Sequence, residues 1–377
     1  MTEPSPRPLL LLADSAGGIG RHVADVVAGC AAAGIAVRVA GPEGLDPRFG
    51  FSARGAVFVP IPVADFRRPQ ALAGTVELAR QLRRHRVDVV HAHGLRAGAV
   101  AVSGAAWPGA GAPAVIVSRH NLVPADRGRA QLPAAVDRLV ARRADVMLAA
   151  SSDLAERARR SGARDVRPGP VAAPAAGLTG DRAVTRGELE LGDRPLVLAV
   201  GRLAQQKDYP TLLAAARAWR AVEPWPLLAI AGAGPLRAQL ADRIAAQGLP
   251  VRLLGARPDV SRLLAAADVA VLSSVWEARS LYAQEALRAG VPLVATAVGG
   301  IPELVGDAAV LVPPGDPRAL AEAVVRVLRE PTLRFRLAAA GPARAAQWPT
   351  QEQISAGLLE LYRELSACRR ARPGGEH

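Results

Sequence analysis

Pro195-Leu196-Val197-Leu198-Ala199-Val200-Gly201-Arg202-Leu203-Ala204-Gln205-Gln206-Lys207-Asp208 decides the fold class of this 377-residue chain. Six apolar residues in a row, Pro195 to Val200, read as a strand covered on both faces. The glycine and polar residues after them read as a loop that leads into a helix from about Tyr209. The same unit recurs from end to end. In the first half the strand-like runs are Leu9–Leu12, Ile35–Val39, Val57–Val59, Val87–His91, Ala114–Val117 and Val146–Ala149. In the second they are Leu196–Val200, Leu227–Ile230, Val251–Leu254, Val269–Leu272, Leu293–Ala295 and Ala309–Val312, with Ala- and Leu-rich helical stretches between. The Pro/Gly stretch from Arg167 to Gly177 separates the two series and reads as a linker. The alternation predicts an α/β protein of two doubly wound parallel sheets, with ligands beyond the carboxyl ends of the strands, in a cleft between the two domains.

Lys207 is the one lysine among 47 basic residues. A coding bias that has filled every other basic position with arginine leaves lysine where a compact ammonium is needed, and phosphate oxygens are such a partner; chance survival of an exposed lysine is the plain alternative. The net charge is +13, of which residues 1–180 carry +9. Aromatics make up 3% of the chain, too few to interleave with the basic residues and stack bases, so nucleic acid is not expected as a partner. Arg80, Arg83, Arg84 and Arg86 fall at helical spacing, as a solvated face or a membrane-surface patch. Cys30 and Cys368 supply neither a disulfide framework nor a metal cluster. No run is long enough to span a bilayer, so a cytoplasmic protein is expected, with peripheral contact at the membrane's inner face as its one membrane association.

The strand ends of the second half converge on polar or glycine-rich turns: Arg202 to Lys207, Gly232-Ala233-Gly234-Pro235, Gly255-Ala256-Arg257, Ser273 to Glu285, and Gly299-Gly300-Ile301-Pro302-Glu303. A helix starting near Ser280 would leave free amides at Arg279, Ser280, Leu281 and Tyr282 for anionic oxygens. One turn in, Glu285 would accept two hydroxyl hydrogens, while Glu277, on the loop before the helix, would face a sugar. An amphipathic helix with Glu285 on its solvated face fits the same letters.

Taken in order, Gly17-Gly18-Ile19-Gly20, His91-Ala92-His93, Gly201-Arg202-Leu203 with Lys207, Gly232 to Pro235, Glu277 with Glu285, and Gly299 to Glu303 resemble the retaining GT-B glycosyltransferases of family four. That group includes phosphatidylinositol mannosyltransferase, the mycothiol-pathway glycosyltransferase and glycogen synthase. The resemblance implies two Rossmann-like domains: residues 1–175 for the acceptor and 176–345 for a UDP- or GDP-sugar donor. Residues 346–377 would then form a helix, Gln351 to Arg369, returning to the first domain, with a disordered tail from Arg370. It implies Arg202 and Lys207 on the donor diphosphate, Glu285 on the ribose, and Glu277 on the donor sugar with the amides of Arg279 and Ser280. Leu281 and Tyr282 would meet phosphate, Gly18 would let the backbone approach the diphosphate, and His93 would lie near the sugar. A tight turn at Gly18 and a structural histidine at His93 are the plain alternatives.

Two departures stand out. Ala278-Arg279-Ser280 replaces the usual Gly-Phe-Gly, which sets a charge beside the expected sugar subsite, and Arg167-Pro168-Gly169-Pro170 replaces Pro-Asn-Gly. No Asp-x-Asp occurs, so neither a metal nor another cofactor is expected. The expected reaction is hexosyl transfer with retention to a sugar, polyol or lipid-linked acceptor, with Arg96, Arg119 and His120 as cations for an anionic one. A non-catalytic nucleotide-sugar binder, or a phosphorylase-like enzyme with a pyridoxal phosphate on Lys207, are the other two readings.

Overall fold

The apolar runs become parallel strands, some with ends displaced by up to three residues. A computed structural model describes residues 5–14, 17–64, 70–109, 111–121, 131–173 and 179–371. The chain forms two compact units, one from Met1–Ala172 with Pro349–His377 and the other from Ala173–Trp348.

The first unit holds β1 (Pro8–Leu12), β2 (Arg38–Gly41), β3 (Val57–Pro60), β4 (Val89–His93), β5 (Ala114–Arg119), β6 (Val146–Ala149) and β7 (Val166–Pro168), in the order β3-β2-β1-β4-β5-β6-β7. β2 starts three residues after Ile35 because Ile35 closes the preceding helix, Gly18–Ala32. Gly34 is left-handed, with φ of 67°, and the Gly34 and Ile35 amides donate to Ala31 and Cys30. β7 overlaps the start of the stretch read as a linker. It pairs only with β6, an edge position where Pro168 breaks no ladder.

Helix Gln351–Ala371 completes this unit. Its Ile354, Leu358, Leu359 and Tyr362 are buried in one cluster with Leu10, Val39 and Ile116 of the sheet. The tail read as disordered lies, from Arg372 on, outside the described residues, as do residues 174–178 of the expected linker.

The second unit holds β8 (Leu196–Val200), β9 (Leu227–Ala231), β10 (Val251–Gly255), β11 (Val269–Leu272), β12 (Leu293–Thr296) and β13 (Ala309–Val312), ordered β10-β9-β8-β11-β12-β13. All strand pairs are parallel, and an apolar cluster covers each face. In both sheets the order reverses beside the first strand, between β1 and β4 and between β8 and β11. Loops leaving those strands in opposite directions open a crevice at the carboxyl edge, where such folds bind ligands.

Candidate active site

In the second unit the crevice is flanked by the loop after β8, which carries Arg202 and Lys207, and the loop after β11, which carries Glu277. The two loops are clasped together. Val275 N donates to the Gln206 carbonyl at 2.9 Å, Gln206 Nε2 to the Trp276 carbonyl at 2.8 Å, and Ser273 Oγ to the Lys207 carbonyl at 2.8 Å. Lys207 Nζ then reaches Glu277 Oε1 at 2.5 Å, and Ser274 Oγ donates to the same oxygen at 2.9 Å. The pair is largely buried, with side-chain exposures of 17% for Lys207 and 10% for Glu277.

Glycine makes this approach possible. A Cβ on Gly232 would fall 1.9 Å from the Gly201 carbonyl oxygen, and one on Gly299 2.0 Å from that of Glu277. Gly299 is also left-handed, with φ of 51°, and the Gly300 amide donates to the Glu277 carbonyl at 2.9 Å. The Gly299-Gly300 turn therefore fixes the backbone beneath Glu277.

Helix Leu281–Arg288 starts where the sequence predicts. Ser280 is its N-cap, with Oγ accepting from the Ala283 amide. Leu281 and Glu285 are half-buried. Tyr282 is buried, and its hydroxyl donates to the Leu198 carbonyl at 2.6 Å. Arg202 is exposed on the loop after β8.

The Arg279 side chain packs on an aromatic ring. Its guanidinium lies 5.7 Å from the Trp348 ring, which also carries Arg288 at 5.6 Å, and burial lowers its pKa. The charge is directed onto an aromatic platform. Nothing in the letters of the loop announced Trp348 as its partner.

In the first unit His93 ends β4 inside a cluster of four buried histidines. Its Nδ1 hydrogen-bonds His120 Nε2 at 3.2 Å, and its ring lies 4.2 Å from that of His91 and 5.7 Å from that of His22. His91 hydrogen-bonds Tyr362 at 2.7 Å and Ser118 at 2.8 Å. Burial pushes the His22 imidazole down to about 4 and that of His120 to about 3, and holds His91 and His93 well below the usual value. His120 is therefore neutral at physiological pH.

Arg119, likewise expected as a cation for an acceptor, is buried against Asp137, which also holds Arg157 at 3.6 Å and Ser161 at 2.9 Å. Burial brings the Arg119 pKa down to about 10. Neither residue is the open cation that the sequence suggested. Arg96 is exposed in the first turn of helix Leu95–Ala105, and Gly18 is half-buried at the start of helix Gly18–Ala32. The sequence reading missed His22 and Tyr362, which are distant in the chain from His93, and Ser274, which lies three residues before Glu277.

Two parallel-sheet units with polar loops gathered at their switch points define the GT-B class. Residues 17–173 match the family described as glycosyl transferase 4-like domain, and residues 181–344 match glycosyl transferases group 1. The chain belongs to these GT4-type glycosyltransferases. It is 33% identical over 193 residues to alpha-D-kanosaminyltransferase of Streptomyces kanamyceticus, a match covering 49% of each chain. It is 33% identical over 263 residues to D-inositol 3-phosphate glycosyltransferase of Salinispora arenicola, covering 64% of this chain and 58% of that one. The chain spans between about a third and three fifths of the length of these curated relatives. Among solved structures, Anabaena HepE in complex with UDP has a TM-score of 0.80 at 20% identity, covering 95% of this chain and 100% of that one. Sucrose-phosphate synthase from Thermosynechococcus elongatus has 0.81 at 22%, covering 96% and 100%. These two share the fold.

Proposed function

We propose that the chain transfers a hexosyl unit from a UDP- or GDP-sugar, with retention, to a hydroxyl of a sugar, polyol or lipid-linked acceptor bound by the first unit. The observation that carries this reading is the Lys207–Glu277 pair at the switch point of the second unit. Lys207 and Arg202 take the donor diphosphate, the amides at the start of helix Leu281–Arg288 add their dipoles, and Glu285 holds the ribose. Glu277, fixed by Ser274 and the Gly299-Gly300 turn, faces the sugar.

As the glycosidic bond to the diphosphate breaks, the electron pair leaves with the diphosphate, where the two cations stabilise it. The departing oxygen takes the acceptor proton while the acceptor oxygen bonds to the same face of the oxocarbenium-like carbon. No protein nucleophile is needed, and retention follows from same-face attack. The cations supply the charge that a metal supplies elsewhere, so transfer persists in excess EDTA. Arg96 is the exposed cation for an anionic group on the acceptor, and Arg83 and Arg84 serve contact with a membrane surface when the acceptor is lipid-linked. The relatives' names support a sugar or cyclitol acceptor, and one of them is 2-deoxystreptamine N-acetyl-D-glucosaminyltransferase of Streptomyces fradiae.

A thermal-shift screen of UDP-, GDP-, ADP- and TDP-sugars tests the donor, since binding raises the melting temperature by mass action. Anomeric analysis of the product by NMR tests retention. A chain that no nucleotide sugar stabilises, or a product of inverted configuration, overturns the reading.

A further inference from the structure

The loop that carries Glu277 is fastened through its backbone as well as its side chains. Thr296 closes β12, is buried, and pairs in register with Val312 of β13. The last pair between β11 and β12 is Leu272 with Ala295, so Ser274 lies past the ladder, yet it too is buried. A buried carbonyl there needs a donor from outside the sheet. Thr296 Oγ1 supplies it, reaching the Ser274 carbonyl at 2.6 Å, while its other contact, to the Leu272 carbonyl, is long at 3.5 Å. Four residues on, the Gly300 amide takes the Glu277 carbonyl at 2.9 Å. The segment from Ser274 to Glu277 is therefore tied at both ends to the one connection that leaves β12.

Within that frame the two oxygens of the Glu277 carboxylate are unlike. Ser274 Oγ and Lys207 Nζ both meet Oε1. Among the described residues Oε2 has no protein partner, and it is not sealed from solvent. One oxygen anchors the group and the other is presented.

We propose that Thr296 is a positioning residue for the transfer reaction: its hydroxyl fixes the Ser274 peptide, Ser274 fixes Glu277 Oε1, and Oε2 is thereby aimed at the donor sugar. This rests on the reading of Glu277 given above. Thr296 is itself shut away from any ligand and acts only through Ser274. Valine keeps the branched shape of threonine and removes the donor. The Ser274 carbonyl is then a buried acceptor without a partner, and its peptide turns to find one, which draws Ser274 Oγ off Oε1. Serine keeps the donor and gives up a methyl group.

The test is release of nucleoside diphosphate by the full chain from UDP-glucose, UDP-N-acetylglucosamine and GDP-mannose, with water in place of the acceptor, beside calorimetry with free UDP and GDP. Thr296→Val should lower kcat about tenfold, the scale of one hydrogen bond, with KM and affinity for the free diphosphate nearly unchanged. Retained diphosphate binding also shows that the donor unit is folded; if the valine variant loses it, Thr296→Ala takes its place with the same expected loss. Thr296→Ser should recover most of the rate. Ser274→Ala should be slowed to a similar degree, and adding Thr296→Val to it should cost less than about twofold more, because the effect runs through the hydroxyl already removed. A wild type that cleaves none of the three donors, or a Glu277→Gln variant at full rate, overturns the reading and this proposal together. With Glu277→Gln slow, a valine variant at full rate, a serine variant as slow as valine, or an additive loss in the double variant overturns the proposal alone.

Discussion

Lys207 and Glu277 are each other's counterion, and that constrains what either can be replaced by. Removing one partner of a largely buried pair strands the other charge. The stem of Lys207 also runs against Gly201, where a Cβ would fall 2.9 Å from Lys207 Cε. A planar guanidinium fork presents its donors differently from the point charge of an ammonium. Lys207→Ala and Arg202→Ala should each lower turnover about a hundredfold or more, the scale for losing one preorganised donor. Lys207→Arg should be impaired as well, and an arginine variant with full kcat would show that the ammonium is dispensable. The two glutamates separate by readout. Calorimetry with the free nucleoside diphosphate should show weaker binding for Glu285→Gln and near-normal binding for Glu277→Gln, with transfer depressed in the latter; the reverse pattern would exchange their roles.

Among elements, the turns matter more than the strands they connect. Gly299→Ala combines a left-handed backbone with a Cβ 2.0 Å from the Glu277 carbonyl, and should destabilise the second unit by about 1–3 kcal/mol. It should also reduce transfer further than that loss explains, because the displaced atom belongs to Glu277. A thermal melt beside a kcat measurement decides it.

This layer was also the most legible from sequence. Continuous apolar runs marked the strands, and Ser280 and Tyr209 marked helix starts, because burial and capping are local in the chain. β7 was missed because three residues at a sheet edge carry little apolar signal. Arg119 and His120 were misjudged because their partners, Asp137 and the histidines His22 and His93, come from other elements. The packing of Arg279 on Trp348 was hidden for the same reason, Trp348 being 69 positions away. Pairwise neutralisation across a fold is invisible to a reading that counts charges along a segment.

On the scale of the whole molecule, the histidine cluster ties stability to pH. Folded, His22 stays neutral down to about pH 4, whereas in the unfolded chain it takes a proton near pH 6.5. Below pH 6.5 the unfolded state therefore binds more protons, and stability falls as pH drops towards 4, where this loss levels off. His22 accounts for about 3 kcal/mol across that window, and His120, held near 3, acts in the same direction. The urea midpoint should be lower at pH 5 than at pH 7.5, and His22→Gln should flatten the difference. A midpoint indifferent to pH would mean that the cluster is not closed to protons.

The discontinuity of the first unit also fixes an order of events during synthesis. Its core lacks Ile354, Leu358, Leu359 and Tyr362 until the last helix has been made, whereas the second unit has all of its residues once Trp348 is out. The later-encoded unit therefore has its complete sequence first, and the N-terminal residues wait, with apolar surface uncovered, for about 200 more to be translated, on the order of ten to forty seconds at bacterial speeds. Nascent chains arrested after Trp348 has cleared the exit tunnel should show a protease-resistant 173–348 fragment beside a protease-sensitive N-terminal half, and that waiting half is where a chaperone would engage.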